Sequence, residues 1–294
     1  MATYIVIGLV SGVVYGLAAL GLVLIYKGSR LFNFAQGEFG TVAMYTLYVL
    51  VVLNDWSYIA AAPVALVVGI ALGLLTERLV ARPLANSARV IGLVGTAGAA
   101  LLMIGTQLVV AGPLPHNVPG GLSGPGLTLF GFRIPQQSLL TIAVLAVVAV
   151  VAAYFFRRTF LGLAILANSQ DPVAAKVVGA NPNRISQLTW GIAGFLGALT
   201  GVVLGPSVDF YPGFMTTIIL IPAFTAGIVG GMTSLIGAFV AGQIIGLVEA
   251  IGGYMVSKEL PIVSEIPEFP TVLVFILLII TLLVRPRGLF GQEA

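Results

Sequence analysis

Long apolar runs separated by short polar ones set the pattern of this chain. A helix that crosses a bilayer needs about 20 apolar residues. Nine stretches meet or approach that length: Tyr4–Tyr26, Phe32–Leu53, Tyr58–Val80, Val90–Ala111, Gln137–Phe156, Ser186–Pro206, Phe214–Met232, Ser234–Val256 and Phe269–Val284. The predicted fold is therefore all-α, a polytopic membrane protein of about eight to nine transmembrane helices, with residues 1–294 forming a single transmembrane domain. Phe214–Met232 stands apart. It carries Pro222, Gly227, Gly230 and Gly231, which favour a broken or re-entrant helix.

The longest polar interruption runs from Arg157 to Arg184, a loop at 157–185 between two apolar segments. Asp171 suits a helix N-cap, Pro172 the first helical position and Gly179 the residue just past the end. The spacing predicts a short helix over Pro172–Val178, of about two turns, with Lys176 placed in its last turn where a cation suits the dipole. A helix that only caps the loop would satisfy the same pattern.

Composition narrows the class. Hydrophobic residues are 59% of the chain and charged residues 8%, against roughly 25% charged in a soluble domain. Cysteine is absent, which excludes disulfides and thiolate metal sites, and the single His116 excludes a multi-histidine site. No cofactor is expected on this chain. A net charge of +3 is too small to indicate nucleic acid. The N-terminal MATYIVIGLV has no basic stretch and no Ala-x-Ala signal, so it reads as a retained span.

Charge placement sets the expected orientation. With the N-terminus outside and nine crossings, eleven of the thirteen Lys and Arg residues face the cytoplasm, and only Arg133 and Lys258 face out. The C-terminus is then cytoplasmic. The outer loops, 112–136 rich in Gly and Pro and 257–268 acidic, are too short for a solute-capturing domain. Any such capture falls to another chain.

Two patterns bear on mechanism. Gly8, Gly12 and Gly16 stand four apart in the first span, and Gly197, Gly201 and Gly205 repeat the spacing in the sixth. Small residues at this spacing let a second helix approach closely. Each of these spans precedes an interrupted segment, NFAQGEFG or YPGF…AFTAGIVGG, the pattern of an inverted repeat with a path between its halves. Polar residues also lie at membrane depth: Asn33, Gln36 and Glu38 opening the second span, Thr96 and Gln107 on the fourth, and Glu249 in the eighth. Carboxylates there face protein or water or are protonated. The five residues from Asn33 to Gln107 are candidates for a translocation path or gate, or for packing and interhelical hydrogen bonds. Glu249 reads first as a helix-to-helix hydrogen bond. No Gly-x-Ser-x-Gly, His-Glu-x-x-His or Gly-Lys-Ser/Thr motif occurs, so neither hydrolase chemistry nor a phosphate-binding loop is present.

The chain resembles the inner-membrane permeases of branched-chain amino acid ABC importers, of the LivH type. The resemblance covers nearly the whole chain. It rests on SGVVYGLAALGLVLIYKGSRLFNFAQGEFG, on LANSQDPVAAKVVGANPNRISQLTWGIAGFLGALTGVVLG, on AFTAGIVGGMTSLIGAFVAGQIIGLVEA and on LLVRPRGLFG. The family usually has His where this chain has Gln36, which removes a titratable group. The loop resembles the segment that couples such permeases to their ATPases, Glu-Ala-Ala followed after three residues by Gly. Here Val173, Ala174, Ala175 and Gly179 match, with the acidic residue displaced to Asp171. The resemblance implies ATPase coupling through Asp171, Pro172, Ala174, Ala175, Lys176 and Gly179. It implies a bacterial inner-membrane complex with two ATPase subunits, an extracytoplasmic solute-binding protein, and a second permease, either of LivM type or a homologous copy. Relatives carrying urea, short amides or aromatic acids are not separated by these motifs. Beyond the resemblance, an inverted repeat also fits an ion-coupled secondary transporter, against which stands the scarcity of intramembrane ionisable pairs.

Overall fold

The computed structural model describes residues 1–120, 126–129, 132–134, 136–170, 181–259, 263 and 265–291. Their regular structure is helical apart from one short hairpin, β1 (Leu127–Leu129) paired antiparallel with β2 (Phe132–Ile134). The helices are α1 (Ala2–Ser29), α2 (Gln36–Leu47), α3 (Tyr58–Thr76), α4 (Arg89–Ala111), α5 (Gln136–Arg158), α6 (Phe160–Gln170), α7 (Pro182–Leu204), α8 (Phe214–Ile218), α9 (Leu220–Gly230), α10 (Leu235–Ser257) and α11 (Phe269–Val284). π-helical turns extend α2 through Leu53 and α3 through Ala81. Among the described residues seven helical stretches are long and apolar enough to cross a membrane, and α9 and α11 are shorter apolar helices.

Local chemistry fixes several ends. Asn181 caps α7, its Oδ1 accepting from the N–H groups of Asn183 and Arg184, and Pro182 occupies the first turn, where its missing N–H costs nothing. Ser234 caps α10 through the Gly237 N–H at 3.0 Å. Arg30 closes α1 in the left-handed region at φ 57°, its N–H returning to Tyr26 O.

The helices are held by close backbone approach. In a bilayer, lipid tails compete with every apolar side chain, so tight van der Waals contact between small residues decides the packing. The Gly8–Gly12–Gly16 stripe of α1 crosses Gly242, Gly246 and Ala250 of α10. A Cβ added to Gly12 would lie 2.8 Å from Gln243 Cα, and one on Gly246 would meet the backbone of Gly8 and Gly12 well under 3.0 Å. In the other half, Gly194 of α7 sits against Gly69 and Gly73 of α3, while Gly197 and Gly201 beside it meet Gln36 and Gly40 on α2. Gly205 is looser, with only Met44 Cγ at 3.5 Å. The pairing is thus reciprocal. The first helix of the N-terminal half packs on the third segment of the C-terminal half, and α7 packs on α3. A tyrosine clamps each pair, Tyr15 to Glu249 in one and Tyr58 to Val202 O in the other. α1 and α7 form the buried centre, and α4 and α5 are the most exposed spans.

The interruption read at NFAQGEFG is present: within the apolar segment from Phe32 the helix begins only at Gln36, after an irregular stretch through Ala35 whose Asn33 and Ala35 are buried. One expectation is corrected. The loop at 157–185 was expected to be polar with one short helix. Instead α5 runs to Arg158 and α6 follows at once, because FLGLAILANSQ is itself apolar enough to pack. Ile165 of α6 buries with Leu24, Phe156 and Ile185. The broken segment expected between Phe214 and Met232 is present, with its break at Ile219 between α8 and α9.

Hydrogen bonds close each end of the bundle. At the end bearing Arg30, Lys27 Nζ donates to Thr233 O at 2.5 Å, and the tail folds under α9 through Leu289 N to Val229 O at 2.7 Å. At the opposite end His116 and Phe210 exchange both backbone bonds, at 2.8 and 2.9 Å, and the His116 ring lies tilted against Tyr48 with ring centroids 4.3 Å apart.

Candidate functional site

Gln36 begins its helix level with Ala193, midway along α7, so the polar cluster lies deep in the bundle. The residue before it explains the late start. Asn33 Oδ1 accepts from Ala35 N at 3.0 Å, an Asx turn that offers the backbone an alternative to helix. Asn33 Nδ2 donates to Gln36 Oε1 at 3.4 Å, and Gln36 Nε2 donates to Ala193 O at 3.0 Å. Gly21 of α1 makes room, since a Cβ there would strike the Gln36 amide. Thr96 of α4 braces the same irregular stretch. Its Oγ1 accepts from Phe34 N at 3.2 Å and stands 3.1 Å from Phe32 O and 2.9 Å from Leu93 O, to one of which it donates.

Glu38 forms the second group. It lies in the first turn of α2, where a carboxylate suits the helix dipole. Gln107 Nε2 donates to its Oε2 at 2.7 Å, and Gln107 Oε1 accepts from Gly213 N at 3.1 Å. One amide side chain therefore joins α4, α2 and the turn into α8. Thr41 adds a second tie between α2 and α8 by accepting from Met215 N at 3.1 Å. Thr216 stands against the Glu38 carboxylate. Neither Glu38 Oε1 nor the Thr216 hydroxyl has a partner of good hydrogen-bond geometry, although both are buried.

The structure thus brings Asn33, Gln36, Glu38, Thr96 and Gln107 into one neighbourhood, each at most 5% exposed. Thr41, Thr216 and Gly213 were not singled out from the sequence. The signal was there in Gly37 and Gly40, whose missing side chains let α8 reach α2: a Cβ on Gly37 would lie 2.7 Å from Thr216 N. Glu249, read as a helix-to-helix hydrogen bond, accepts from Tyr15 OH at 2.5 Å. Beside the cluster, a cavity of about 550 Å³ opens between α2, α3 and α4. Its wall is almost wholly aliphatic, with Val42, Leu72 and Met103 typical, and Gln107 reaches into it. Among the described residues no group of three or more His, Cys, Asp or Glu residues could hold a metal ion. The loop residues Asp171, Pro172, Ala174, Ala175, Lys176 and Gly179 lie outside the described residues.

The architecture is a helical membrane bundle with two interrupted segments meeting at a buried polar node. The model of one family, the branched-chain amino acid transport system permease component, matches residues 4–282. The chain belongs to this family. Among its relatives is the high-affinity branched-chain amino acid transport system permease protein LivH of Escherichia coli K12, 29% identical over 97% of this chain and 94% of that protein. The corresponding BraD of Pseudomonas aeruginosa is 28% identical with the same coverage. The ribose import permease RbsC of E. coli is 26% identical over only 49% of this chain. Among solved structures, PsaBC from Streptococcus pneumoniae in complex with Fab superposes with a TM-score of 0.52 at 15% identity, covering 96% of this chain and 91% of that one, which is a likeness of fold. The family membership makes this chain a membrane-spanning ABC transport permease.

Proposed function

We propose that this permease forms one half of the pathway through which a bacterial ABC importer carries branched-chain amino acids or a chemically similar small solute across the inner membrane. The observation that carries the reading is the match to LivH along nearly the whole length of both chains. ATP is bound and split by two separate ATPase subunits, and a second permease, of LivM type or a homologous copy, completes the pathway. An extracytoplasmic binding protein delivers the solute. The N-terminus lies outside and the C-terminus in the cytoplasm, as the Lys and Arg placement favours. The permease binds no cofactor of its own. Transport proceeds by alternating access, with the interrupted segments α2 and α8–α9 as the elements that change.

The segment 172–178 transmits ATPase motion. A proline in a helix interior removes a hydrogen bond and costs about 3 kcal/mol. Ala175→Pro is therefore expected to reduce ATP-dependent uptake in proteoliposomes to under about a tenth, while immunoblots show the same amount in the membrane. Undiminished uptake would remove the coupling role. Purification of the solubilised chain from its native membrane tests the assembly. ATPase subunits and a binding protein in the eluate support the importer, and a chain that purifies alone while taking up solute on an ion gradient refutes it.

A further inference from the structure

The buried carboxylate of Glu38 is unexplained by packing alone. No described Lys, Arg or His pairs with it, whereas the other fully buried glutamate of the described spans, Glu77, holds a bidentate bond to Arg82 at 2.8 and 3.1 Å. Glu38 is 0% exposed, its Oε2 takes one amide N–H from Gln107, and its Oε1 has only Thr216 beside it, whose hydroxyl meets the carboxylate without good hydrogen-bond geometry. A carboxylate at this depth needs a proton or a cation. A carboxylate oxygen and a hydroxyl oxygen side by side can both accept from a group with several N–H donors. The position also has a way in. Glu38 lies one helical turn below Val42, on the same face of α2, and Gln107 separates it from the aliphatic cavity of about 550 Å³ that Val42 and Gln107 both line. That volume falls within the range of small-molecule sites.

We propose that Glu38 Oε1 and Thr216 Oγ1 form the subsite for the ammonium group of the transported solute, reached from the cavity when the Gln107 side chain swings aside. The solute class is then an aliphatic amine-bearing molecule: the ammonium docks on the carboxylate and the apolar side chain rests against the cavity wall. This inference rests on the proposed transport function and deepens it. Gln107 acts as the gate, holding the carboxylate while no solute is present and releasing it as the ammonium replaces its N–H donor.

The test uses the complete importer with its ATPases and binding protein in proteoliposomes, with leucine as solute. Glu38→Gln keeps size and hydrogen bonding and removes the charge, so leucine uptake is expected to fall at least tenfold. The double variant Glu38→Gln with Gln107→Glu returns one carboxylate and one amide to the same contact with their places exchanged, and it is expected to recover a third or more of wild-type uptake. The double variant also decides if the single one fails to assemble. Glu38→Gln at wild-type rate would overturn the proposal, showing a protonated carboxyl with a structural role. A double variant no better than the single one would also overturn it. Replacing Na⁺ and K⁺ with choline is expected to leave wild-type uptake unchanged, and a collapse would assign the subsite to a metal cation instead. Wild-type importer that takes up no leucine refutes the proposed substrate. Wild-type uptake matched by Glu38→Gln refutes only the ammonium subsite.

Discussion

Gly246→Val in α10 is expected to destabilise the permease by about 3 kcal/mol, the upper part of the usual range for overpacking. The reason is what stands opposite. A Cβ at 246 would collide with the backbone of Gly8 and Gly12 on α1, and backbone cannot rotate away as a side chain can. α1 and α10 would separate, and the Tyr15–Glu249 bond, which spans the same crossing, would lengthen or break. Gly98→Val and Gly105→Val on α4 are the controls, because nothing lies within 4 Å of a Cβ at either place. Melting of the purified protein in detergent, followed by size-exclusion fluorescence, reads the difference. A Gly246→Val protein that melts with the two controls would mean that the helices do not cross closely in the membrane.

Gln107→Leu is the second large effect expected. The residue is nearly isosteric, so the loss is one of hydrogen bonds and not of volume. Two buried groups lose their partners together: Glu38 Oε2 and the Gly213 N–H. An orphaned buried polar group costs about 1–3 kcal/mol, so the sum is about 2–6 kcal/mol. Thr106→Val, one position away on α4, makes the contrast. Its exposed hydroxyl only returns to Leu102 O of its own helix at 2.8 Å, and replacing it is expected to change stability by under about 0.5 kcal/mol. The two variants melting at the same temperature would show that the Gln107 bridge carries no weight. Because Gln107 joins α4 to both interrupted segments, its loss is also expected to raise proteolysis at the turn before α8.

Much of this architecture could be read from the residues in order. Apolar length locates the spans, and Pro222 with the glycines around 227–231 marks a segment that does not run straight. The break itself falls at Ile219, three residues ahead of Pro222, since the proline ring disfavours helix on its N-terminal side. The spacing of Gly8, Gly12 and Gly16 announces a flat helix face but not its partner, which lies more than 200 residues away. The same limit applies at the site. Asn33, Gln36, Glu38, Thr96 and Gln107 stand out as polar groups in apolar runs. That Gln107 meets Glu38 across 69 positions depends on how α4 and α2 pack. Thr216 drew no notice, because an isolated threonine in a membrane helix ordinarily bonds to its own backbone. α6 was hidden for the opposite reason. Its apolar residues sit in a loop whose flanking arginines and asparagines dominate the local composition.

The crossing of α1 with α10 also has a history in time. The bond from Tyr15 to Glu249 joins residues 234 positions apart. At a synthesis rate of roughly 5–20 residues per second, roughly 10–50 s separate the appearance of one helix face from that of the other. During that interval the glycine groove of α1 stands in lipid with nothing of matching shape beside it. The first helix made is thus among the last to find its place, and the nascent chain is bound to hold a vacancy at its centre until α10 arrives. Quality-control proteases that recognise unfilled grooves would meet this protein most often as an unfinished one.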